Sequence, residues 1–552
     1  MFYGINTMTN MGEYAIIIFL LSLYGAQLIS AASQPNIVFI LADDLGWNDV
    51  GFRGSNEIPT PNIDALAYTG LILNNYYVMP ICTPSRSALM TAKHPIHTGM
   101  QHTVLFGAEP RGLPLEEKLL PEYLREIGYE NHIVGKWHLG HYKREYTPLY
   151  RGFDSHLGFW TGHHDYFDHT AEERGAWGLD MRHGMEVAYN LHGQYSTDIF
   201  TKEAVRIINS HNTSTPLFLY VAHAATHSSN PYNPLPIPDD LASTMFEHIT
   251  DYHRRRFAVM VHKLDLSVGY IVDALGEKKM LEDTIIVFSS DNGGPAAGFN
   301  LNAASNWPLR GVKNTNWEGG VRGAGLLWSK SVKSPGRISS QLMDITDWLP
   351  TFVAAANGSF NSETTAVDGR DLWDSLVNDK PVNTSLLIHN IDDLYGSAAI
   401  RSGDWKIVQG THYDGKWDGW YGPSGRGQQK YDTDLIVNSL AGKALKKINT
   451  SLSSESILKL RKEAEIVCSD PEQNPCNPLL SPCLFNVVLD PCERNNLAEK
   501  YPNILKDLSD LVRKVNETAV PAANLPLDPR GFPQRWNYVW TNFGDYISEN
   551  DV

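Results

Sequence analysis

Cysteine is scarce in this chain, and basic residues are outnumbered. Five cysteines in 552 residues are too few for a disulfide-stapled scaffold or a cysteine-rich zinc fold. Lys and Arg total 46 against 62 Asp and Glu, a formal net charge of −16. That balance argues against nucleic acid or an anionic membrane surface as the main partner, so any anionic ligand must be held by a few local cations. Beyond residue 32 no apolar run is long enough to cross a bilayer, and no internal repeat occurs. What is present is ordinary globular composition, 42% hydrophobic and 20% charged, in a chain long enough for a large core and two or more domains.

The N-terminal segment has no Lys or Arg ahead of its apolar run Ile16-Ile17-Ile18-Phe19-Leu20-Leu21, and it ends in Ser30-Ala31-Ala32. It reads as a cleaved secretory signal peptide over residues 1–32, with a signal anchor as the alternative. No stable membrane span is expected after cleavage. Cys468, Cys476, Cys483 and Cys492 cluster near the C-terminus, an even set that allows two disulfides in three connectivities. Cys82 stands far from them. Asn-x-Ser/Thr tripeptides at Asn212, Asn357, Asn383, Asn449 and Asn516 agree with passage through the secretory pathway.

Two continuous apolar runs, Asn36 to Ala42 and Thr284 to Ser289, predict buried parallel strands. The first ends in Asp43-Asp44 and the second leads into Asp291-Asn292-Gly293-Gly294. Adjacent carboxylates at a buried strand end repel each other unless a cation or donors compensate, and the carboxyl ends of strands are where open α/β sheets bind ligands. Each alone also reads as an acidic turn. Together the four make an all-oxygen set suited to Ca²⁺ or Mg²⁺ rather than zinc.

Between these runs lies Cys82-Thr83-Pro84-Ser85-Arg86, predicted as a helix start with Thr83 as N-cap and Pro84 as first helical residue. Cys82 then sits at the positive end of a helix dipole, with Arg86 one turn on, a place that favours an anion. Lys136 and His138 flank Trp137, which predicts the same side of an extended segment. A Lys and a His held together can bind an anion's oxygen and move a proton near neutral pH. The aromatic- and His-rich run Trp160 to His169 reads as packing rather than a substrate mouth. Further helices are predicted over Leu119–Ile127, Thr197–Ser210 and Tyr252–Leu275, with Arg254-Arg255-Arg256 on a solvated face. The strand Leu217–Ala222 is followed by His223, read as structural, and His227.

Strands alternating with helices imply an α/β fold with a mainly parallel sheet covered on both faces. From about Asn383 the pattern changes to antiparallel strands near Ala399–Val408 and Leu484–Val488 and a closing helix over Tyr501–Val515. The expected division is a signal peptide over 1–32, a catalytic domain over 33–382, and a C-terminal α+β domain with the clustered cysteines over 383–552.

Cys82-Thr83-Pro84-Ser85-Arg86 followed by Leu89 and Thr91, Gly135-Lys136-Trp137-His138-Leu139-Gly140, Arg151-Gly152-Phe153-Asp154 and Asp291-Asn292-Gly293-Gly294 together resemble the type I sulfatases. The similarity is to their arylsulfatase B-like (N-acetylgalactosamine-4-sulfatase-like) branch and runs from about residue 35 to 530. The sequence departs from that pattern at Ala92, where glycine is usual, at His97, where arginine is common, and at Ser228, where proline is usual. The resemblance implies an alkaline-phosphatase-like sheet sandwiched by helices, and hydrolysis of sulfate esters to alcohol or phenol plus inorganic sulfate. It further implies that a formylglycine-generating enzyme oxidises Cys82 to formylglycine, whose hydrate is the nucleophile. One Ca²⁺ per chain is expected on Asp43, Asp44, Asp291, Asn292 and residue 82. Arg86 and Lys136 would fix hydrate and sulfate oxygens, Lys313 and His227 would serve the leaving oxygen, and His138 would deprotonate the hydrate. The expected partner is a sulfated small molecule or saccharide, met in a lysosome or outside the cell. The rival readings are a catalytically silent homologue that binds without turnover, and a phosphodiesterase or phosphonate hydrolase of the same superfamily.

Overall fold

The computed structural model describes residues 34–547 apart from 360–365, 385, 428, 451 and 469–470; the expected signal peptide lies outside the described residues. Four parallel strands form the centre of the molecule: β1 (Asn36–Ala42), β2 (Glu130–Lys136), β3 (Leu217–Ala222) and β4 (Thr284–Ser290). They lie in the order β4-β1-β3-β2 within a sheet of ten strands. Every residue of β1 and β4 is buried, because unbroken apolar runs fit only where both faces of the sheet are covered.

Strand alternation divides β1 between two cores. Val38, Ile40 and Ala42 join a cluster under the helices Pro61–Thr69, Ser196–Ser210 and Tyr252–Glu277. Ile37, Phe39 and Leu41 join the opposite one, under Cys82–Thr91, Leu120–Glu126 and Trp348–Ala355. The sheet is mixed at its edges. Gly325–Trp328 runs antiparallel to β4: the intervening residues 291–324, with the short helices Phe299–Leu301 and Glu318–Val321, lead the chain back into the sheet from its carboxyl end.

A second, four-stranded antiparallel sheet comprises Leu387–Asp392, Ser397–Ser402, Trp405–Gln409 and Cys483–Asn486, packed against the helix Pro502–Asn516. The four clustered cysteines pair as Cys468–Cys492 and Cys476–Cys483, and Cys82 is free and buried. Ile436, Leu445 and Leu460, which follow the small sheet's first three strands in sequence, pack in the core of the large sheet. A buried ion cluster fastens the two sheets: Lys406 Nζ lies 3.0 Å from Glu318 and 2.8 Å from Glu493.

Three local expectations are corrected. The helix α1 (Cys82–Thr91) begins at Cys82 with Ile81 as an N-cap that makes no side-chain bond. Thr83 is not the cap, because its hydroxyl is engaged above the helix, donating to His138 O and accepting from Leu105 N–H, both at 3.2 Å. The arginines 254–256 are not a solvated face: Arg254 is buried on Asp49 and Glu57, and Arg255 and Arg256 donate to the carbonyls of Ile249 and Leu235. Finally, β2 ends at Lys136 and His138 has a left-handed backbone, φ 60°. Lys136 and His138 therefore come together through a turn and not through a strand's pleat.

Candidate active site

Because β1 and β4 are parallel neighbours in register Ala42↔Ser290, the residues leaving them meet. Asp44 N–H donates to Asp291 Oδ1 at 3.2 Å, and Asn292 Nδ2 donates to Asp44 Oδ1 at 2.7 Å. Asp43, Asp44, Asp291 and Asn292 are all fully buried. Three carboxylates so placed would be prohibitively costly alone, and three buried cations answer them. Arg86 reaches Asp291 Oδ2 at 2.9 Å, Lys136 reaches Asp43 Oδ2 at 2.7 Å, and Lys313 reaches Asp44 Oδ2 at 2.8 Å. Burial alone would raise Asp44, but the Lys313 ammonium beside it holds its carboxyl below the usual range. Burial and the neighbouring Asp43 raise Asp291. For Lys313 the carboxylate of Asp44 outweighs burial, so the ammonium keeps its proton far above neutrality.

Cys82 opens α1 with Sγ 3.6 Å from Asp43 Oδ1. Burial pushes its thiol up to about 12, so at neutral pH almost none is the nucleophilic thiolate. It lines a cavity of about 360 Å³ together with His138, His163, Arg174, His227 and Lys313. The His227 ring donates from Nδ1 to Ser228 O at 2.6 Å, which leaves Nε2 to accept from Lys313 Nζ at 3.1 Å. Burial and Lys313 push its pKa down to about 3, so it is a neutral acceptor. His138 donates from Nε2 to Leu105 O at 3.0 Å. Its Nδ1 is buried with no partner among the described residues, and burial beside Lys136 and Arg86 keeps the ring neutral.

All the residues singled out from the sequence thus surround one cavity or the carboxylates at its base. His223 lies elsewhere, bonded to Ser267 Oγ at 2.9 Å inside the core. Sequence reasoning missed His163, whose ring stacks on His227 with centroids 5.8 Å apart, and Phe106, Glu173 and Arg174, which line the mouth. The Trp160–His169 run is mostly packing: Trp160 is buried, and His164 and His169 bond to Ser196. His163 is its exception, and nothing in residue type or spacing marks it.

Asp43, Asp44, Cys82 and His227 each offer a ligand atom, all within 4.8 Å of one another. Asn292 Oδ1 is buried and has no hydrogen-bond partner among the described residues. An orphaned amide oxygen beside three carboxylates fits a hard divalent cation. The cluster can therefore hold a metal ion.

The sulfatase family profile matches residues 35–359. Over 535 residues the chain is 37% identical to arylsulfatase J of Mus musculus, spanning 93% of this chain and 80% of that protein. Over 378 residues it is 34% identical to N-acetylgalactosamine-6-sulfatase of Homo sapiens, spanning 66% of this chain and 70% of that one. The crystal structure of Ps i-CgsB in complex with k-i-k-neocarrahexaose aligns with a TM-score of 0.68 at 26% identity, over 90% of this chain and 96% of that one. The strand-end carboxylates, the buried cations around Cys82 and this similarity over nearly the whole chain agree: the chain belongs to the sulfatase family and is an arylsulfatase-like sulfuric ester hydrolase.

Proposed function

We propose that residue 82 works as formylglycine, made from Cys82 by the formylglycine-generating enzyme, and that one Ca²⁺ is held by Asp43, Asp44, Asp291, Asn292 and residue 82. The observation that carries this reading is the place of Cys82: it is buried at the start of α1 with Sγ 3.6 Å from Asp43 Oδ1, beside the carboxylates that Arg86, Lys136 and Lys313 pair with, and burial raises its thiol so that it is a poor nucleophile as cysteine. As a hydrated aldehyde the same position supplies a hydroxyl nucleophile toward sulfur, and a bound Ca²⁺ supplies charge for the developing oxyanion. The charges support it. Arg86, Lys136 and Lys313 cancel Asp43, Asp44 and Asp291, so a dication leaves the site at +2, the complement of inorganic sulfate.

The chain's own residues divide the remaining work. Arg86 is locked by Asp291 and by the carbonyl of Lys136 at 3.3 Å, which fixes its guanidinium for oxygen binding. Lys136 is positioned by Asp43 for the same task. Lys313 carries the proton for the leaving oxygen, and His227 Nε2 aims that ammonium. His138 Nδ1, a lone pair without a partner, is the base for the hydroxyl of residue 82. The phosphodiesterase reading is less well supported, since among the described residues a second cluster of metal ligands does not occur.

The substrate is a sulfate ester on a saccharide or small molecule, 4-sulfated N-acetylgalactosamine being the first candidate. The two disulfides and the five acceptor asparagines, four of them exposed, fit a secretory-pathway enzyme of the lysosome or extracellular space. No helix of the described residues is long and apolar enough to cross a membrane. A panel of sulfated sugars and phenols tests the reading: turnover by the parent protein and none by Cys82→Ala is expected, and turnover surviving in Cys82→Ala contradicts it.

A further inference from the structure

A second cavity, of about 560 Å³, adjoins the first and shares Phe106 and Arg174 with it. Its other walls include Thr103, Tyr395 and Asn524. Tyr395 is held in place by tilted stacking on His102 and His412, at 4.7 and 4.2 Å, and His102 is in turn anchored on Asp392 at 2.8 Å. A fixed aromatic face with a hydroxyl and an amide beside it is a surface suited to a sugar ring.

Arg174 stands between the two cavities at the tip of the hairpin formed by Thr170–Glu173 and Ala176–Leu179. It is exposed, and its guanidinium lies over the Phe106 ring, 4.8 Å from the centroid. The nearby carboxylates are engaged elsewhere: Glu109 on Arg111 at 2.5 Å, Glu172 on Gly175 N–H at 2.6 Å and Glu173 on Gly107 N–H at 2.5 Å. No ion pair to Arg174 occurs among the described residues. The backbone adds a second observation. Arg174 and Gly175 have φ of 54° and 82°, the left-handed pair of a two-residue hairpin turn, where Asn or Gly is favoured at the first position. An arginine there is strained, and strain retained at a ligand cavity points to use.

We infer that Arg174 is a specificity-determining residue: it binds a second anionic group, a carboxylate or a sulfate, on the sugar unit next to the one that carries the scissile sulfate. The substrate class is then an acidic oligosaccharide rather than an isolated sulfate ester. This rests on reading the first cavity as a sulfatase site, and nitrophenyl sulfate hydrolysis tests that reading separately.

The test is calorimetric titration of the Cys82→Ala protein with three disaccharides of 4-sulfated N-acetylgalactosamine, differing only in the neighbouring unit. That unit carries a carboxylate, a sulfate, or the neutral alcohol from carboxyl reduction. Charge-assisted hydrogen bonding predicts about tenfold tighter binding of at least one acidic ligand over the neutral one; the acid preferred identifies the group. With Arg174→Asn added, the preference should fall to within about twofold, while melting shows a protein at least as stable, because asparagine suits the turn. Arg174→Lys should keep part of the preference. Equal affinities in the parent protein, a preference undiminished by Arg174→Asn, or no binding of any disaccharide would each overturn the inference.

Discussion

At the scale of single residues, the chemistry is set by which neighbour each polar atom has. Lys313 is the clearest case: with Asp44 at 2.8 Å and His227 at 3.1 Å, it keeps a proton that only a basic leaving oxygen needs. Lys313→Ala should therefore cost about 10²–10⁴-fold on alkyl and sugar sulfates and far less on nitrophenyl sulfate, whose phenolate leaves unaided. Equal losses on the two kinds of substrate, measured as kcat/KM, would remove Lys313 from the acid role. Ala92 is a second case. It is the C-cap of α1 with φ 55° and a fully buried side chain. Ala92→Gly relieves about 1–2 kcal/mol of left-handed strain and gives up a buried methyl of about 0.8 kcal/mol. The expected change in denaturation midpoint is small and upward; a loss of 2 kcal/mol or more would show that the methyl's packing outweighs the strain. The carboxylates were legible in the sequence because residue type and strand position together specify them, and Arg86 because it falls one turn into the helix that Cys82 opens; Lys313, which lies on no strand, was singled out only through the family resemblance. The left-handed turn at His138 was not, since one unusual φ leaves no trace in periodicity.

At the scale of elements, the site exists because two parallel strands stop in register and spill Asp43-Asp44 and Asp291-Asn292 into one place. This was readable, as a fully buried strand has no polar face to confuse its pattern. The hairpin Thr170–Leu179 was not readable. It is held by distant chain, with Leu179 N–H donating to Tyr538 O at 2.7 Å and Trp540 N–H to Leu179 O at 3.0 Å, and no local signal announces such a partner. Glu173 on that hairpin gives a pH test. Burial raises its carboxyl from 4.5 to about 7, so between those values the folded protein binds a proton that the unfolded chain has released. Stability contributed by this group is therefore present in acid and declines as pH climbs through that window. Glu173→Gln, which keeps an acceptor for Gly107 N–H, should match the parent's melting at pH 4 and exceed it by about 2–3 kcal/mol at pH 8. A constant offset across the range would show that Glu173 does not titrate this way.

At the scale of the whole molecule, a net charge of −16 surrounds a site whose own charges cancel before metal binds. A polysulfated chain is repelled at long range more strongly than a short saccharide of one or two charges, so added salt should raise turnover of intact polymer relative to that of a disaccharide. Fastest release from polymer at the lowest salt would reveal a positive path to the site. The small antiparallel sheet was foreseen from Ala399–Val408 and Leu484–Val488, although the first of these stretches is two strands and the strand Leu387–Asp392 was not read. That Leu445 and Leu460 would leave it for the large core was not, because an amphipathic helix does not say which apolar surface it covers.

In the proposed mechanism a sulfate ester is cleaved by residue 82 in its oxidised form. Its most direct test is peptide mass spectrometry of residue 82 in preparations of graded maturation, set against their specific activity. Activity should be proportional to the fraction of aldehyde or hydrate, extrapolating to zero for the unmodified thiol. Full activity in a preparation whose Cys82 is entirely thiol would contradict it.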